Sequence, residues 1–522
     1  MKTFSQNIIA ALLAVLLASL PSLAIGHSAL FPDQFSYDQS GEGLVSSVSA
    51  NVRAKDGSHQ SQKSGAQLVE ASCTNGLASD YPCRNIDMRS MLSPAQLGGS
   101  GSNLNDVWGW TDLINGSEIV IVGRDNGTSF VDITDPVDPQ LLGFLPSHDG
   151  GSDDWRDIKV YQNHAFIVAD GSGNSTHGLQ IFDLSTLSTA TGGTLTETAH
   201  LGGFGAAHNI AINEDSGFAY VVGASQCSGG LYMVDISSPT TPTFAGCYSA
   251  DGYTHDAQCV MYQGPDTQHF NKEICVGYNE DTITIVDVSN KSNPQQLSRT
   301  TYQGQQYTHQ GWFLDENHSY LVMNDELDEQ NNGSNTTSYL WDVSVLGAPV
   351  ETGRFVNTTE AIDHNLYTLD SLIYESNYRS GLRILSSADI ASGNLEELAY
   401  FDTIPCSDTA QFSGAWSSYI YFASGNIAVS DIGTGLFIVR PDANAISTGA
   451  NAGTTATSPA CGTTPAPAPD PTPEPIPDSA PASGGGGATL PMFVGMLGLG
   501  VLWFRRRSLV PAATSSTHSD IG

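Results

Sequence analysis

The sequence predicts an all-β protein, a seven-bladed β-propeller closed by an N-terminal outer strand. Three observations lead to this prediction: one short strand motif occurs seven times, landmark residues recur every 47 to 55 residues, and the last repeat lacks one strand. The composition agrees, because 54 Gly and 25 Pro among 522 residues, with only 14% charged residues, are typical of a β-rich chain with many tight turns.

The strand motif is a β-branched and aliphatic run that follows a Gly, Thr or Ser turn, which indicates a buried strand. Four strands per unit at this period are typical of a propeller blade. A solenoid is the alternative architecture, but neither end of the repeat region contains a capping unit. The clear copies are Thr128–Asp132, Gly178–Asp183, Gly230–Asp235 and Thr282–Asp287, and the looser copies are Ser338–Asp342, Gly381–Leu385 and Gly435–Val439.

A tryptophan or histidine is expected to open the innermost strand of each blade. Only three strands follow the last landmark, and the alternating segment 85–92 is expected to pair with them as the fourth strand, which removes an exposed sheet edge. We therefore predict one propeller domain over residues 85–442. The landmarks are Trp108, Trp155, His208, His255, His309, His364 and Trp416.

Both ends of the chain contain segments typical of targeting and tethering. Residues 1–26 have a charged start, an apolar core and a small-x-small motif, which predict a secretory signal peptide, and a loosely ordered lead-in is expected over residues 27–84. Residues 443–483 are a Pro-rich linker or stalk. Residues 484–507 combine glycines, a short hydrophobic run marginal for a bilayer and three arginines, and residues 508–522 are a tail that is cytoplasmic or removed.

An exported chain oxidises its thiols, and eight cysteines allow four disulfides. The sequence alone leaves the connectivity open, although the lead-in is expected to be closed by its own disulfide. Zinc–thiolate and thiol redox chemistry are not expected, because C-x-x-C does not occur. Proximity along the chain suggests the pairs Cys73–Cys83, Cys227–Cys247, Cys259–Cys275 and Cys406–Cys461.

The net charge of −35 limits the classes of molecule that the protein is expected to bind. Such a surface repels nucleic acid and anionic lipid, so no nucleic acid is expected to bind and membrane contact is expected only through the C-terminal tail. No G-x-S-x-G, H-E-x-x-H or P-loop pattern occurs, so familiar hydrolase and nucleotide chemistries have no support.

Four of the landmarks are histidines, each followed by a small or polar residue: His208, His255, His309 and His364. They are expected at one mouth of the central channel, together with carboxylates from neighbouring loops. Imidazole nitrogen suits Cu, Zn or Fe, so the group is a candidate transition-metal site. The alternative is that repeated histidines cap the channel and hydrogen-bond between neighbouring blades.

A second candidate site is the acidic loop that contains Asp325, Glu326 and Asp328. Loops rich in oxygen ligands suit Ca²⁺, which accepts six to eight of them, so these carboxylates are candidate calcium ligands. The spacing does not match an EF-hand, and a solvated acidic loop is the alternative.

Several motifs in order resemble the choice-of-anchor B family, and the strand copies resemble the LVIVD repeat. The resemblance covers about residues 70–440 and implies a propeller whose members are tethered in different ways, with no settled enzymatic activity to carry over. The motifs are Cys73–Gly76 with Tyr81–Cys83, Asp106–Asp112, Trp155–Tyr161 and His177–Leu184.

The C-terminal tail is similar to GlyGly-CTERM sorting signals, which pair glycines with a short apolar helix and a basic cluster. This resemblance implies that a rhomboid-like protease (rhombosortase) cuts near Gly484–Gly487 and that the product reaches the cell surface, outer membrane or medium of a Gram-negative bacterium. The chain departs from the pattern in continuing from Ser508 to Gly522, whereas such signals usually stop soon after the arginines.

These observations favour a binding module over an enzyme. We predict a rigid disc on a Pro-rich stalk that holds an extracellular protein, glycan or cation on its top face, where loops from every blade meet. The alternative is a metal-dependent periplasmic or surface oxidoreductase or hydrolase that uses the four histidines.

Overall fold

The computed structural model describes residues 70–99, 103–171 and 175–450. Thirty strands in these ranges form seven antiparallel sheets, which confirms the predicted seven-bladed all-β propeller. The predicted signal peptide, most of the Pro-rich linker and the C-terminal tail lie outside the described residues. No helix within the three described ranges is long and apolar enough to cross a membrane.

The first four blades each use four strands that are consecutive in the chain. Three strands precede them: β1 (Leu77–Ala78), β2 (Tyr81–Arg84) and β3 (Ile86–Leu92). The first blade contains β4 (Leu104–Thr111), β5 (Glu118–Arg124), β6 (Gly127–Asp132) and β7 (Gln140–Pro146), and the second β8 (Trp155–Tyr161), β9 (His164–Asp170), β10 (Leu179–Asp183) and β11 (Ala199–Leu201). The third contains β12 (Asn209–Asn213), β13 (Phe218–Val222), β14 (Tyr232–Asp235) and β15 (Thr243–Cys247), and the fourth β16 (Asp256–Met261), β17 (Glu273–Tyr278), β18 (Ile283–Asp287) and β19 (Gln295–Thr300).

The fifth blade has the same order, and the sixth and seventh have N-terminal strands added at their outer edges. The fifth contains β20 (Thr308–Phe313), β21 (Tyr320–Asp325), β22 (Thr337–Asp342) and β23 (Val350–Val356). The sixth contains β24 (Leu366–Leu369), β25 (Leu372–Ser376), β26 (Leu382–Ser386) and β27 (Glu396–Phe401), and the seventh β28 (Ala415–Tyr419), β29 (Ile427–Asp431) and β30 (Gly435–Pro441). The helical segments in the described ranges are short: Pro94–Leu97, Leu184–Thr189, Gln226–Gly229, Asp328–Asn332, Ile390–Ser392 and Ala443–Thr448.

The ring is closed by β3, which pairs antiparallel with β30 as the outer strand of the seventh blade. Its side chains alternate between buried and partly exposed, as the sequence predicts: Ile86 and Met88 are buried, whereas Asp87 and Arg89 are partly exposed. The predicted closure from the N-terminal side is therefore confirmed.

The expectation of a loosely ordered lead-in is wrong for residues 77–84. Strand β2 pairs with β27 and so extends the sixth blade, with Cys83 opposite Phe401. The Tyr81 ring lies 5.6 Å from the ring of Phe401 and 5.0 Å from that of Phe437, and Cys83 is fully buried. The sequence showed no period here because β1 and β2 contain only two and four residues.

Three of the four predicted disulfides are confirmed: Cys73–Cys83, Cys227–Cys247 and Cys259–Cys275. The last of these joins directly opposed residues of β16 and β17. Cys406 is also disulfide-bonded. Its predicted partner, residue 461, lies outside the described residues.

The hydrophobic core lies between the faces of neighbouring sheets rather than at one centre. One cluster joins Val120 and Val122 of β5 to Leu436 and Ile438 of β30, across the seam between the first and last blades. Every residue of β5 and of β17 is buried, since each of these strands is covered on both faces. A blade therefore depends on both of its neighbours for burial.

The closing strand should contribute strongly to stability. Met88→Ala should lower the free energy of unfolding by about 2–5 kcal/mol, because it leaves a cavity where β3 packs against the ring. Arg89→Ala, on the partly exposed face of the same strand, is the control and should change it by less than about 1 kcal/mol. Chemical denaturation measures both values. Equally small effects would contradict closure by β3.

Candidate functional site

The four histidines lie at one face of the propeller, around the mouth of its central channel. In a four-stranded antiparallel blade, the start of the inner strand and the loop after the second strand lie on the same face. His208 and His255 immediately precede the inner strands β12 and β16, His309 lies at the start of β20, and His364 precedes β24 by two residues. We call this face the mouth.

Six rings follow one another around the mouth and form what we call the mouth arc. The distances between neighbouring ring centroids are 6.0 Å for Trp155 and His208, 4.3 Å for His208 and His255, and 4.3 Å for His255 and His309. They are 4.4 Å for His309 and His364 and 4.8 Å for His364 and Trp416. Residues 261 positions apart thus line one continuous surface, from Trp155 to Trp416.

The position of Trp108 differs from the prediction. Its ring contacts Tyr367 and Tyr419, with centroid distances of 5.4 and 5.3 Å. Tyr367 lies three residues after His364, and Tyr419 lies three residues after Trp416. A β-bulge between Leu104 and Val107 shifts the register of β4. The contacts with Tyr367 and Tyr419 place Trp108 deeper in the channel than the mouth rings, so the landmark assigned to the first blade is wrong.

Gly223 makes room for His208 at the end of β13. The glycine has a φ of +72°, and a Cβ atom there would lie 2.5 Å from the Cβ of His208. A residue with a side chain at this position would therefore clash with His208 and would also have an unfavourable backbone conformation.

Three of the four mouth histidines have Nδ1 in a hydrogen bond, whereas Nδ1 of His309 has no hydrogen-bond partner among the described residues. His255 Nδ1 donates to the carbonyl of His309 at 3.1 Å, and His364 Nδ1 donates to the carbonyl of Trp416 at 2.6 Å. His208 Nδ1 instead donates to the carboxylate of Asp170 at 3.1 Å. The predicted bonding between blades is thus present for His208, His255 and His364, because Asp170 belongs to the second blade and His208 to the third, and it fixes the directions of these rings.

Glu326 is the carboxylate that the imidazoles face. Its Oε2 lies 3.7 Å from Nε2 of His309, and its Oε1 lies 3.5 Å from Nε2 of His364. The hydroxyl of Tyr378 donates to Oε1 at 2.9 Å. One ligand atom each from His255, His309 and Glu326 lie within 4.8 Å of one another, which is close to the spacing of donors around a single ion.

Burial sets the protonation of this group. It lowers the pKa values of His255 and His309 well below the usual range, with neighbouring imidazoles adding to the effect, and it lowers the pKa of His364 to about 3. Burial also raises the pKa of Glu326 to about 7. The imidazoles are therefore neutral at neutral pH, which is the form that binds metal ions.

The three candidate calcium ligands have different partners. The Asp325 carboxylate accepts hydrogen bonds from the hydroxyl of Tyr302 at 2.7 Å and from the backbone N–H of Tyr307 at 2.6 Å, so it orders the loop before β20. Glu326 faces the histidines, and Asp328 accepts from the hydroxyl of Tyr339 at 2.6 Å. Calcium binding in this loop stays a prediction.

Two further acidic residues lie beside Asp328: Glu329, which belongs to the same predicted acidic loop, and Asp363, which sequence reasoning missed. Glu329 and Asp363 are 3% and 1% exposed, and neither of the two carboxylate oxygens of either residue has a hydrogen-bond partner among the described residues. Burial and the neighbouring carboxylates raise the pKa of Glu329 to about 10 and that of Asp363 well above its usual range. Asp363 precedes a mouth histidine, but no local pattern placed it beside Glu329, because the two lie on different loops.

This cluster should make stability depend on pH. The pKa of Glu329 is about 10 in the folded state and about 4.3 in an unfolded chain, so its contribution is fully present below about pH 4.3 and is lost as the pH rises towards 10. Glu329→Gln, which stays neutral, should reduce this slope by up to about 1.4 kcal/mol per pH unit. Thermal and chemical unfolding between pH 5 and 10 measure it. The exposed Glu396→Gln is the control, and an unchanged slope in Glu329→Gln would contradict the assignment.

The comparison with protein families agrees with the fold. Residues 204–250 and 274–301 match the LVIVD repeat, in the third and fourth blades. No curated protein matches the chain. A crystal structure of the computationally designed Ika8 protein is 13% identical, covers 72% of this chain and 99% of its own, and gives a TM-score of 0.42, which supports no functional inference. The chain therefore contains LVIVD repeats within a seven-bladed β-propeller.

Proposed function

We propose that this protein is a binding module that holds an extracellular protein, glycan or cation at the mouth. The observation that supports this proposal best is the mouth arc, since side chains from six blades converge there on one surface. Convergent loops on a rigid scaffold are the usual arrangement of a binding surface. The LVIVD-repeat propeller is consistent with an interaction module.

Exposed aromatic side chains at the rim of the mouth add support. Trp155, at the start of an inner strand, is 41% exposed. Phe412, in the loop before β28, is 49% exposed, and its ring lies 5.6 Å from that of Tyr378. Large aromatic side chains of this kind are common anchors for protein and glycan ligands.

Export and surface display are part of the proposal. Three disulfides favour an oxidising compartment, as does the signal-like segment 1–26. We propose that the chain is a choice-of-anchor B protein whose tail, residues 484–507, is a GlyGly-CTERM-like signal read by a rhombosortase-like protease. The propeller would then be displayed at the surface of a Gram-negative bacterium, or released from it.

A second candidate function is a metal-dependent oxidoreductase or hydrolase. The observation that favours it is the group formed by His255, His309 and Glu326, which leaves open positions for a substrate or water. Assays of the metal-loaded chain with oxidase and hydrolase substrates test it. Turnover that is lost in His309→Gln would favour the enzyme over the binding module.

Binding should depend on the mouth and not on the opposite face. Trp155→Ala and Phe412→Ala should each weaken binding at least about tenfold, since loss of a buried aromatic anchor typically costs 2 kcal/mol or more. The control is Phe270→Ala, which is equally exposed at 49% but lies in the loop between β16 and β17, on the opposite face. Labelled protein is applied to a glycan array and to intact cells of the producing bacterium. An equal loss in Phe270→Ala would contradict the proposal.

The positions of the two ends of the mature chain test the proposed export and surface localisation. The mature protein should begin near residue 25 or 27 and end near Gly484–Gly487, because the signal peptide and the sorting tail are removed. Mass spectrometry of the chain purified from its own host measures both ends. Peptides from Ser508–Gly522 in that product would show that the tail is retained.

A further inference from the structure

The mouth brings a carboxylate and the unprotonated nitrogen of an imidazole together, an arrangement that requires a proton or a cation between them. A carbonyl oxygen only accepts hydrogen bonds, so the Nδ1 atoms of His255 and His364 that face carbonyls must have the protons. A neutral imidazole has one proton, and its other nitrogen then presents a lone pair. The Nε2 atom of His364 presents that lone pair to the Glu326 carboxylate at 3.5 Å. Acceptors facing one another repel unless a cation or a proton lies between them.

The side chains around Glu326 supply no fixed cation. Among the described residues, its ion-pair contacts are with His309 and His364, and no lysine or arginine lies within 4.0 Å of it. Its one hydrogen bond from a side chain comes from Tyr378, at Oε1. Oε2 faces His309, which is 1% exposed and has an Nδ1 with no hydrogen-bond partner in the described part of the chain.

We propose that His255, His309 and Glu326 bind one divalent first-row transition-metal ion, with Zn²⁺ or Cu²⁺ as the ions that suit this donor set. The three donor atoms lie within 4.8 Å of one another, so small movements bring them to bonding distance. Two imidazoles and one carboxylate form an open site of the kind that binds borderline metals rather than calcium.

The surroundings of this site resemble those of metal centres in one respect. Histidine ligands usually donate their second ring nitrogen to a carbonyl or carboxylate, which fixes the ring. His255 does so through the carbonyl of His309. The hydroxyl of Tyr378 holds Oε1 of Glu326 in the same way and leaves Oε2 for the ion. His208 also donates Nδ1 to a carboxylate, that of Asp170, but it is not among the three donors that lie close together.

The inference deepens the proposed function, because it names a ligand for the mouth, and it rests on that proposal only for the identity of the binding face. Metal titration without any macromolecular ligand tests it alone. A wild-type chain that binds the metal but neither glycans nor cells would contradict the protein- and glycan-binding part of the proposed function. A wild-type chain that binds glycans or cells but no metal would contradict only the proposed metal site.

The test uses the mature chain, purified without a polyhistidine tag and without chelator. Elemental analysis should find about one Zn or Cu per chain. After chelator treatment and dialysis, calorimetric titration with ZnCl₂ and separately with CuCl₂ should show one saturable site and should identify the tighter ion. His309→Gln and Glu326→Gln should each weaken metal binding by more than about 100-fold. Even the loss of a residue that only hydrogen-bonds to a metal ligand typically lowers the metal affinity about 10- to 100-fold.

The matched control is His208→Gln, which removes a ring from the same mouth arc and should change the affinity less than about threefold. Circular dichroism and thermal unfolding establish that each variant is folded. Electron paramagnetic resonance of the Cu²⁺-loaded chain gives a second measurement: coupling to two imidazole nitrogens in the wild type, and to one in His309→Gln. No saturable site in the wild type, or an equal loss of affinity in His208→Gln, would overturn the proposal.

Discussion

The pairing of β3 with β30 is the constraint on which the rest of this structure depends. Each blade buries its faces against two neighbours, so an open ring would expose the first and the seventh blades. Met88 of β3 packs in one cluster with Phe401 of the sixth blade and Val439 of the seventh, which links closure to the core. Closure also fixes the diameter of the channel and therefore the spacing of the rings at the mouth.

Bonds from one blade to the next transmit that constraint to the mouth. Asp157, Gln258 and Gln310 use side-chain oxygens to accept from backbone N–H groups on the inner strand of the next blade. The imidazole bond of His255 also joins the fourth and fifth blades, and that of His364 joins the sixth and seventh. These groups explain why polar residues recur in the channel wall, and they hold the ring nitrogens in fixed directions. The mouth is thus preorganised by contacts that also hold the blades together.

The sequence could predict those features of the fold that local patterns of residues determine. The seven strand copies, the alternation in β3 and the neighbouring cysteine pairs led to the correct architecture, and the repeat located His208 through His364. The rest depends on contacts between distant loops. Trp108 contacts Tyr367 and Tyr419 instead of the mouth rings, and a partner strand from the sixth blade ordered β2. The repeat also could not show that Glu326, rather than Asp325, turns towards the imidazoles, because neighbouring acidic residues in a loop carry the same local signal.

We propose that Glu326 and the imidazoles of His255 and His309 share a cation at the mouth of the closed ring. Diffraction data from crystals of the mature chain soaked in ZnCl₂, collected on both sides of the zinc absorption edge, test it most directly. We expect one anomalous peak at bonding distance from Glu326 and from one nitrogen each of His255 and His309. A peak confined to other histidines, or no peak at the mouth, would contradict it.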